Sequence, residues 1–438
     1  MKKIISNLTK STFALALAAL AVSCCAEQQG TQEGGVKYGV FPHKMPTEKP
    51  DYPISAATAR MFDNYPTPRV QDNEFYTTFK YTELKGFDND NGSGLVTRRD
   101  PSRPIFVNGK YYMWYTKRDT KYFPIGASRA AEATDEIPST DWDLCDIWYA
   151  TSADGFTWEE QGCAVARPPK PQFGWRSLAT PDILMWEGRY YLYFQIFNEP
   201  SGLRGDWCPI SMAHADSPDG PWTYTQKQTI PFGGEGEWDK DQTQDPHPIV
   251  YNGKIYLYFK SAFNKWPDVR DKYAVCHGVA IAESPYGPFV KSELNPVMNT
   301  GHETTYWPYK GGIAALAIRD GNERETIQFA PDGINFTPQC VVSLAPTAAG
   351  CFTPDAFTNT KDGRGVTWGM CHILNNVGPT GKRYSTIVRF DCDLSQDCDD
   401  KVFKQTTITH KPETYYNQGL GGLLKKRMGT PDEVKGKN

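Results

Sequence analysis

The segment Thr300–Pro308 places groups that could do acid–base chemistry on a sugar next to one another. His302 and Glu303 are adjacent, and Tyr306 and Trp307 follow a few residues later. An imidazole and a carboxylate can exchange protons with a substrate, and flat aromatic rings stack on sugar faces. The same residues could also form a hydrogen-bonded corner of a sheet, so the rest of the chain has to decide between the two interpretations.

The composition of the 438 residues favours a large, β-rich fold. The chain has 24 Tyr, 22 Phe and 12 Trp, which suit pleated, half-buried surfaces, and 38 Gly with 33 Pro, which supply turns. A single closed β domain can occupy most of such a length. The net charge is −4 and no basic run is long, so we expect no nucleic-acid partner.

A β-hairpin pattern recurs three times in the first two thirds of the chain. Each copy has a short apolar strand, a two-residue turn and an alternating aromatic strand. The turns are Asn108-Gly109, Glu187-Gly188 and Asn252-Gly253. A second marker, Ser-x-x-Gly followed by an aromatic residue, lies after each hairpin with a period of roughly 65 residues. Further units begin near His302 and near Asp355, and five such units predict an all-β, five-bladed β-propeller.

The first strand of each blade lines the central funnel of a propeller, so residues at the blade starts should share one pocket. These residues are Asp100, Asp182, Asp245, His302 with Glu303, and Asp355. Carboxylates that converge on one pocket repel each other, which raises some of their pKa values. An Asp-Pro step can instead serve as turn chemistry at a strand entrance, and we expect that role for at least one of them.

The chain divides into five segments. Lys2 and Lys3 precede a short apolar run that ends at Cys24, which is typical of an exported protein, and small residues before Cys24 resemble a lipoprotein box. We therefore expect a periplasmic protein or a lipoprotein anchored in the outer membrane by a lipid on Cys24. The segments are a signal peptide (1–25), a flexible tether (26–50), a helical arm capped by Ser55 (51–85), the propeller (86–400) and a C-terminal tail that packs on the propeller or a partner (401–438).

The cysteines show no spacing typical of a zinc site or a disulfide framework. We interpret most of them as small buried hydrophobic residues and expect a local bridge between Cys392 and Cys398.

Three motifs resemble glycoside hydrolase family 117, and the resemblance covers almost the whole mature chain. They are Ser55-x-Ala57-x-x-Arg60, Asp245-Pro246-His247-Pro248 and Gly301-His302-Glu303. The family is one of exo-acting α-1,3-(3,6-anhydro)-L-galactosidases, or neoagarobiose hydrolases. The resemblance implies release of 3,6-anhydro-L-galactose from the non-reducing end of neoagarobiose and neoagarooligosaccharides, with inversion of configuration.

The resemblance also implies roles for individual residues. It makes Asp90 the base and His302 the acid, with Asp245 and Glu303 as further polar residues of the catalytic site. A histidine has a reference pKa of about 6.5, so near neutrality it can hold a proton and still release it. The blade pattern alone favours Asp100 as the base, and the choice between Asp90 and Asp100 stays open.

The expected substrate-binding residues surround these groups. They are His247, Asp182, Trp175, Trp207 and Trp307. The resemblance further implies one divalent cation (Ca²⁺, Mg²⁺ or Zn²⁺) with no ligands assigned, no organic cofactor, and a homodimer that exchanges the N-terminal arm. Two alternatives remain: an arabinan- or xyloside-cleaving propeller glycosidase, and a surface lipoprotein that binds sugar without cleaving it.

Overall fold

The computed structural model describes residues 36–63, 73–204, 206, 208–264, 273–360, 362–377, 382–398 and 400–404. Five antiparallel sheets follow one another along the chain and confirm the predicted all-β, five-bladed propeller. Within the described residues, no helix has both the length and the apolar character needed to cross a membrane. The signal segment, Cys24, Trp207 and residues 405–438 lie outside the described residues.

Strands make up most of the secondary structure of the described residues. The one α-helix is α1 (Ala56–Arg60), and 3₁₀ turns lie at Asp90–Gly92, Ala127–Glu132 and Pro354–Phe357 among the described residues. The first strand, β1 (Lys80–Glu83), belongs to the last blade. Blade one contains β2 (Val96–Arg99), β3 (Ile105–Val107), β4 (Lys110–Asp119), β5 (Asp146–Ser152) and β6 (Glu159–Val165). Blade two contains β7 (Ser177–Trp186), β8 (Arg189–Phe197), β9 (Ile210–Ala215) and β10 (Thr223–Tyr224).

The remaining blades repeat this order. Blade three contains β11 (Gln244–Tyr251), β12 (Lys254–Asn264), β13 (Tyr273–Ala282) and β14 (Val290–Lys291). Blade four contains β15 (Glu303–Tyr309), β16 (Gly312–Ile318), β17 (Thr326–Ala330) and β18 (Thr337–Val341). Blade five contains β19 (Gly350–Cys351), β20 (Gly365–Val377), β21 (Lys382–Ser395) and, at its outer edge, β1.

The three predicted hairpins are confirmed, and their turns explain the register. Both central residues of each turn have positive φ, for example 53° at Asn108 and 77° at Gly109. This backbone is the type I′ turn, whose twist matches that of the flanking strands. Aromatic side chains then fill the space between blades: Tyr258 of blade three stacks on Tyr306 of blade four with ring centres 4.0 Å apart.

The segments before the propeller are more closely attached to it than the sequence predicted. β1 pairs with β21 and closes blade five, so the propeller sheets begin at Lys80 rather than at residue 86. Part of the predicted tether also packs: Phe41 is buried with its ring centre 5.5 Å from that of Phe263. At the other end, the backbone N–H of Thr78 donates to the Phe403 carbonyl oxygen.

The predicted helix forms, and it lies against the sheets of its own chain. Ser55 caps α1, since its hydroxyl accepts a hydrogen bond from the Thr58 N–H. The side-chain hydroxyls of Ser55 and Thr58 also donate to the carbonyl oxygen of Pro296, at 2.5 and 2.8 Å. These buried hydrogen bonds join α1 to the segment between β14 and β15.

The interpretation of most cysteines as buried hydrophobic residues is confirmed, but the predicted bridge is not. Cys392 is a free, buried thiol on β21, 3.7 Å from the carbonyl oxygen of Val366. Its side chain points into the core of blade five, and it forms no disulfide with Cys398.

Candidate active site

A polar pocket that is open to solvent lies where the inner strands of blades one to four begin. Blades one and two contribute Arg99, Asp100, Thr180 and Gln195, blades three and four contribute Gln244, Asp245, Lys260, His302 and Glu303, and loops add Trp142 and Asp206. Of the residues predicted to be catalytic, the structure brings Asp100, Asp245, His302 and Glu303 together here.

A backbone kink before a proline points one residue of each of the first three blades into the pocket. Asp100, Thr180 and Asp245 precede prolines and have φ values of 49°, 53° and 47°, in the left-handed region that residues other than glycine rarely adopt. Strand register breaks at the kinks in blades two and three. The counterpart of Asp100 in blade two is therefore Thr180, and Asp182 lies two residues further along.

Asp182 and His247 do not line the pocket but join a buried ion-pair network. The Asp182 carboxylate accepts a hydrogen bond of 2.8 Å from Nη2 of Arg103 and lies 3.3 Å from Nδ1 of His247. Burial acts to raise the pKa of Asp182, but Arg103 and His247 outweigh it and lower that pKa to about 2. In this position Asp182 ties blade two to blades one and three.

The side chains of Arg99 and His372 lie next to the carboxylate of Asp100. Nε of Arg99 donates to Oδ2 at 2.8 Å, and Nδ1 of His372 lies 3.3 Å from Oδ1. Burial acts to raise the pKa of Asp100, yet Arg99 and His372 hold it well below its ordinary value. His372 lies on β20, so blade five supplies this neighbour of Asp100. Asp355, the predicted blade-five residue, instead accepts a hydrogen bond from the Arg364 N–H outside the pocket.

Asp245 forms a second buried ion pair. Its Oδ2 atom lies 2.6 Å from Nζ of Lys260, and both side chains are almost fully buried. Burial acts to lower the pKa of Lys260, but Asp245 outweighs it and raises that pKa, so the lysine stays charged. The kinked backbone N–H of Asp245 donates to Oε1 of Gln195 at 3.3 Å.

His302 and Glu303 both line the pocket, as the sequence predicted for the start of blade four. Gly301 has a φ of 96°, and a Cβ there would lie 2.2 Å from Oγ1 of Thr304. His302 lies just before β15, which begins at Glu303, so alternation along the strand does not force the two side chains apart.

Each of the two neighbours has its own partner from the loop between β16 and β17. Nδ1 of His302 lies 2.7 Å from Oδ2 of Asp320, and this contact lowers the pKa of Asp320. Oε2 of Glu303 lies 3.6 Å from Nη1 of Arg319. Burial acts to raise the pKa of Glu303, but Arg319 and His302 outweigh it and lower that pKa, so Glu303 is ionised at neutral pH.

Asp90 is not among the residues that line the pocket. It is exposed in the 3₁₀ turn Asp90–Gly92 before β2, where the Ser93 hydroxyl donates to its Oδ2 at 2.5 Å. Of the two candidate bases, Asp100 therefore lies inside the pocket and Asp90 is exposed to solvent.

Among the described residues, the aromatic residue that lines the pocket is one that the sequence did not single out. Trp142, in the long β4–β5 connection, lines the pocket, and the guanidinium carbon of Arg99 lies 4.8 Å from the centre of its ring. Trp307 is buried in the core between blades four and five. Trp175 is half-buried, with the Lys170 ammonium 4.3 Å from its ring centre, and it does not line the pocket.

Among the described residues, Asp100, Glu303 and His372 form a group that fits a divalent cation. One donor atom from each lies within 4.8 Å of the others. Oε2 of Glu303 is buried and makes no hydrogen bond in the described part of the chain. The two carboxylates suit Ca²⁺ or Mg²⁺ and the imidazole suits Zn²⁺, so the three residues do not fix the identity of the ion.

Comparisons with known proteins place this site in a context. No family model matches the chain. A xylosidase/arabinosidase of Bacteroides ovatus is 24% identical over 178 residues, 36% of this chain, and the chain spans 50% of the length of that curated relative. Among solved structures, Zg3597, a family 117 glycoside hydrolase produced by the marine bacterium Zobellia galactanivorans, is 64% identical with a TM-score of 0.74, covering 80% of this chain and 100% of that one. Another, described as a glycoside hydrolase, is 12% identical with a TM-score of 0.51, covers 77% of this chain and 96% of its own, and shows the fold alone.

Proposed function

Because the chain belongs to glycoside hydrolase family 117, we propose that it cleaves the α-1,3 bond of neoagarobiose and neoagarooligosaccharides from the non-reducing end. The products are 3,6-anhydro-L-galactose and the shortened sugar, and the anomeric configuration inverts. The observation that carries the proposal is the pairing of His302 with Asp320 at the rim of a pocket that also holds four carboxylates. An oriented imidazole beside carboxylates supplies the acid and the charge that glycoside cleavage needs.

His302 is the proposed acid. Its Nδ1 faces Asp320, which leaves Nε2 as the ring nitrogen that can donate a proton to the departing O3 of galactose. A carboxylate on the far side of an imidazole fixes the orientation of the ring and stabilises the imidazolium form. Glu303, by contrast, is half-buried and has a lowered pKa, so it holds no proton to donate at neutral pH.

Asp90 is the proposed base, and Asp100 is the alternative. Asp100 lies in the pocket, but Arg99 donates to its Oδ2 and its pKa is strongly lowered, which makes it a weak proton acceptor. Asp90 is exposed and is not engaged by an arginine in the described structure. An inverting base works through a water molecule, so the base and the acid should be roughly 6.5–9.5 Å apart in the complex with substrate.

The other charged residues position the sugar and shape the electric field. Asp245 and Lys260 form an ion pair, and both line the pocket, where hydroxyl groups of the sugar can bind to them. Trp142 supplies an aromatic surface next to them. A divalent cation held by Asp100, Glu303 and His372 would neutralise the two carboxylates and polarise a sugar oxygen.

Export and dimerisation complete the proposal. The signal segment and Cys24 are expected to send the protein to the periplasm or to anchor it in the outer membrane. In a homodimer that exchanges arms, the contacts between α1 and Pro296 would be made by the arm of the partner subunit. Light scattering on the protein without residues 26–70 tests this: a monomer supports the exchange, and an unchanged dimer contradicts it.

The substrate test is direct. The purified protein is incubated with neoagarobiose and with aryl arabinofuranosides, and the released sugars are identified by mass spectrometry and NMR. The proposal predicts galactose and 3,6-anhydro-L-galactose from neoagarobiose. Turnover of the arabinofuranosides alone would replace it with an arabinan-type activity, and binding of neoagarobiose without turnover would indicate a sugar-binding protein.

The roles of the residues are tested by His302→Ala, Asp90→Asn and Asp100→Asn with neoagarobiose as substrate. Loss of general acid or base catalysis should lower kcat by about 10²- to 10⁴-fold. A rate near that of the wild type in any variant removes that residue from the chemistry, so the pair Asp90→Asn and Asp100→Asn decides which carboxylate is the base.

A further inference from the structure

The loop between β16 and β17, residues 319–325, supplies the partners of both His302 and Glu303. Arg319 faces Glu303 and Asp320 faces His302, although they are consecutive in the chain. Both have positive φ, 55° and 24°, a backbone that residues other than glycine adopt only when their surroundings enforce it. The position of Asp320, and with it the orientation of the His302 ring, therefore depends on what holds this loop.

One side of the loop is fixed by the segment that precedes His302. The carbonyl oxygen of Asp320 accepts hydrogen bonds from Oγ1 of Thr300 at 2.6 Å and from the N–H of Gly301 at 3.1 Å. Gly321, with a φ of 89°, packs so closely that a Cβ there would lie 2.3 Å from Oγ1 of Thr300. The backbone at Asp320 is thus tied to the same segment that carries the imidazole.

The other side of the loop is fixed by the N-terminal helix. Arg60, the last residue of α1, makes a two-pronged ion pair with Glu323, with Nε–Oε1 and Nη2–Oε2 distances of 2.6 and 2.9 Å. The Glu323 side chain is fully buried, and Gln328 also donates to it at 3.2 Å. Nη1 of Arg60 further donates to the carbonyl oxygen of Phe336. A buried, two-pronged arginine–carboxylate pair fixes geometry as well as charge.

We propose that the N-terminal helix positions the general acid: Arg60 and Glu323 are positioning residues that hold Asp320 against His302. This inference rests on the proposed role of His302 and adds a function for the arm beyond association of subunits. Neither residue lines the pocket, so the proposed effect on His302 passes through the loop. If arms are exchanged in a dimer, each active site takes this support from its partner.

The first test measures the contact without any turnover. Two-dimensional ¹H–¹⁵N spectra of the histidine rings are recorded for the wild type, for Arg60→Met and for Lys49→Ala, with the His302 signals assigned by their loss in His302→Ala. Lys49, at the end of the predicted tether, forms an exposed pair with Asp63 of the arm and is the matched control. The proposal predicts shifted His302 signals in Arg60→Met and unchanged signals in Lys49→Ala. Unchanged His302 signals in a folded Arg60→Met protein would overturn it.

The second test asks whether the contact serves acid catalysis. Loss of a positioning residue should lower kcat for neoagarobiose by about 10- to 100-fold with little change in KM. Cleavage of 3,6-anhydro-L-galactosyl fluoride, whose leaving group needs little protonation, should be nearly unaffected. Equal losses on both substrates would indicate a structural role only and would overturn the proposal.

Two further variants keep the test decisive if Arg60→Met does not fold. Arg60→Lys retains the charge and should recover part of the rate, and Glu323→Gln should mimic Arg60→Met more mildly.

Adding either Arg60 variant to Asp320→Asn should cause no further loss of kcat, because the two changes act on one contact. Additive losses would contradict the coupling. If His302→Ala lowers kcat by the same factor on both substrates, His302 is not the general acid. The NMR result still decides whether Arg60 affects the position of the His302 ring.

Discussion

Nδ1 of His302 lies 2.7 Å from Oδ2 of Asp320, a residue 18 positions further along the chain. The contact gives the proposed acid an orienting carboxylate that is distinct from its neighbour Glu303. Glu303 faces Arg319 instead, so two adjacent side chains of blade four have separate partners and separate charges. This separation allows the histidine to donate a proton while the glutamate stays ionised.

Asp320→Asn should lower kcat for neoagarobiose by about 10- to 100-fold, because the amide no longer orients the imidazole or stabilises its charge. KM should stay within a factor of about two, since Asp320 does not line the pocket. Steady-state kinetics checks this, with Asp216→Asn as a control, since that carboxylate is paired with Arg189 on the surface. A variant as active as the control would contradict the orienting role.

Replacement of Trp142 should weaken substrate binding, whereas replacement of Trp175 should not. Trp142 lines the pocket beside Arg99, while Trp175 lies outside it. We expect Trp142→Ala to raise KM by about tenfold, which corresponds to roughly 1.4 kcal/mol of lost contact. Kinetics on both variants is the measurement, and an equal effect of the two would return Trp175 to the substrate site.

The buried Asp182 should make the protein acid-sensitive. Its folded pKa is about 2, below the value of about 3.9 of an unfolded chain, so its ion pairs stabilise the fold above about pH 4 and lose that effect as the pH falls towards 2. The contribution is about 2 kcal/mol. The melting temperature of Asp182→Asn should therefore be lower than that of the wild type at pH 6 and should fall less between pH 5 and 3. Parallel curves for the two proteins would contradict this.

A divalent cation should stabilise the pocket through Asp100, Glu303 and His372. After chelation, adding Ca²⁺, Mg²⁺ or Zn²⁺ should raise the melting temperature of the wild type, because binding to the folded state alone stabilises it. His372→Ala should lose this response, and a surface variant such as Asp216→Asn should keep it. A thermal shift that persists in His372→Ala would place the ion elsewhere.

The fold was predictable because its signals are local. Turns such as Asn108-Gly109 define a hairpin within a few residues, and their repetition predicts blades. The site was predictable where a blade start coincides with the pocket, as at Asp245, His302 and Glu303. The site was not predictable where the backbone departs from a regular strand. The kink at Thr180 places Asp182 in an ion pair with Arg103, and the alternation of side chains along a regular strand does not predict this position.

The missed residues depend on contacts between distant segments. Asp320 meets His302 only after β15 and β16 have paired, and His372 reaches Asp100 across the closure of the ring. Neither belongs to a motif. Trp307 lies near the predicted site in sequence, but its side chain packs between blades four and five, because the direction of a strand residue is set by the sheet that it joins.

The most direct measurement is a ¹H NMR time course of neoagarobiose with the purified protein, recorded from the first minutes before the product anomers equilibrate. The account predicts that 3,6-anhydro-L-galactose appears with the anomeric configuration opposite to that of the substrate bond, and that His302→Ala abolishes this signal over the same period. Release with retained configuration, or no release from neoagarobiose at all, would contradict it.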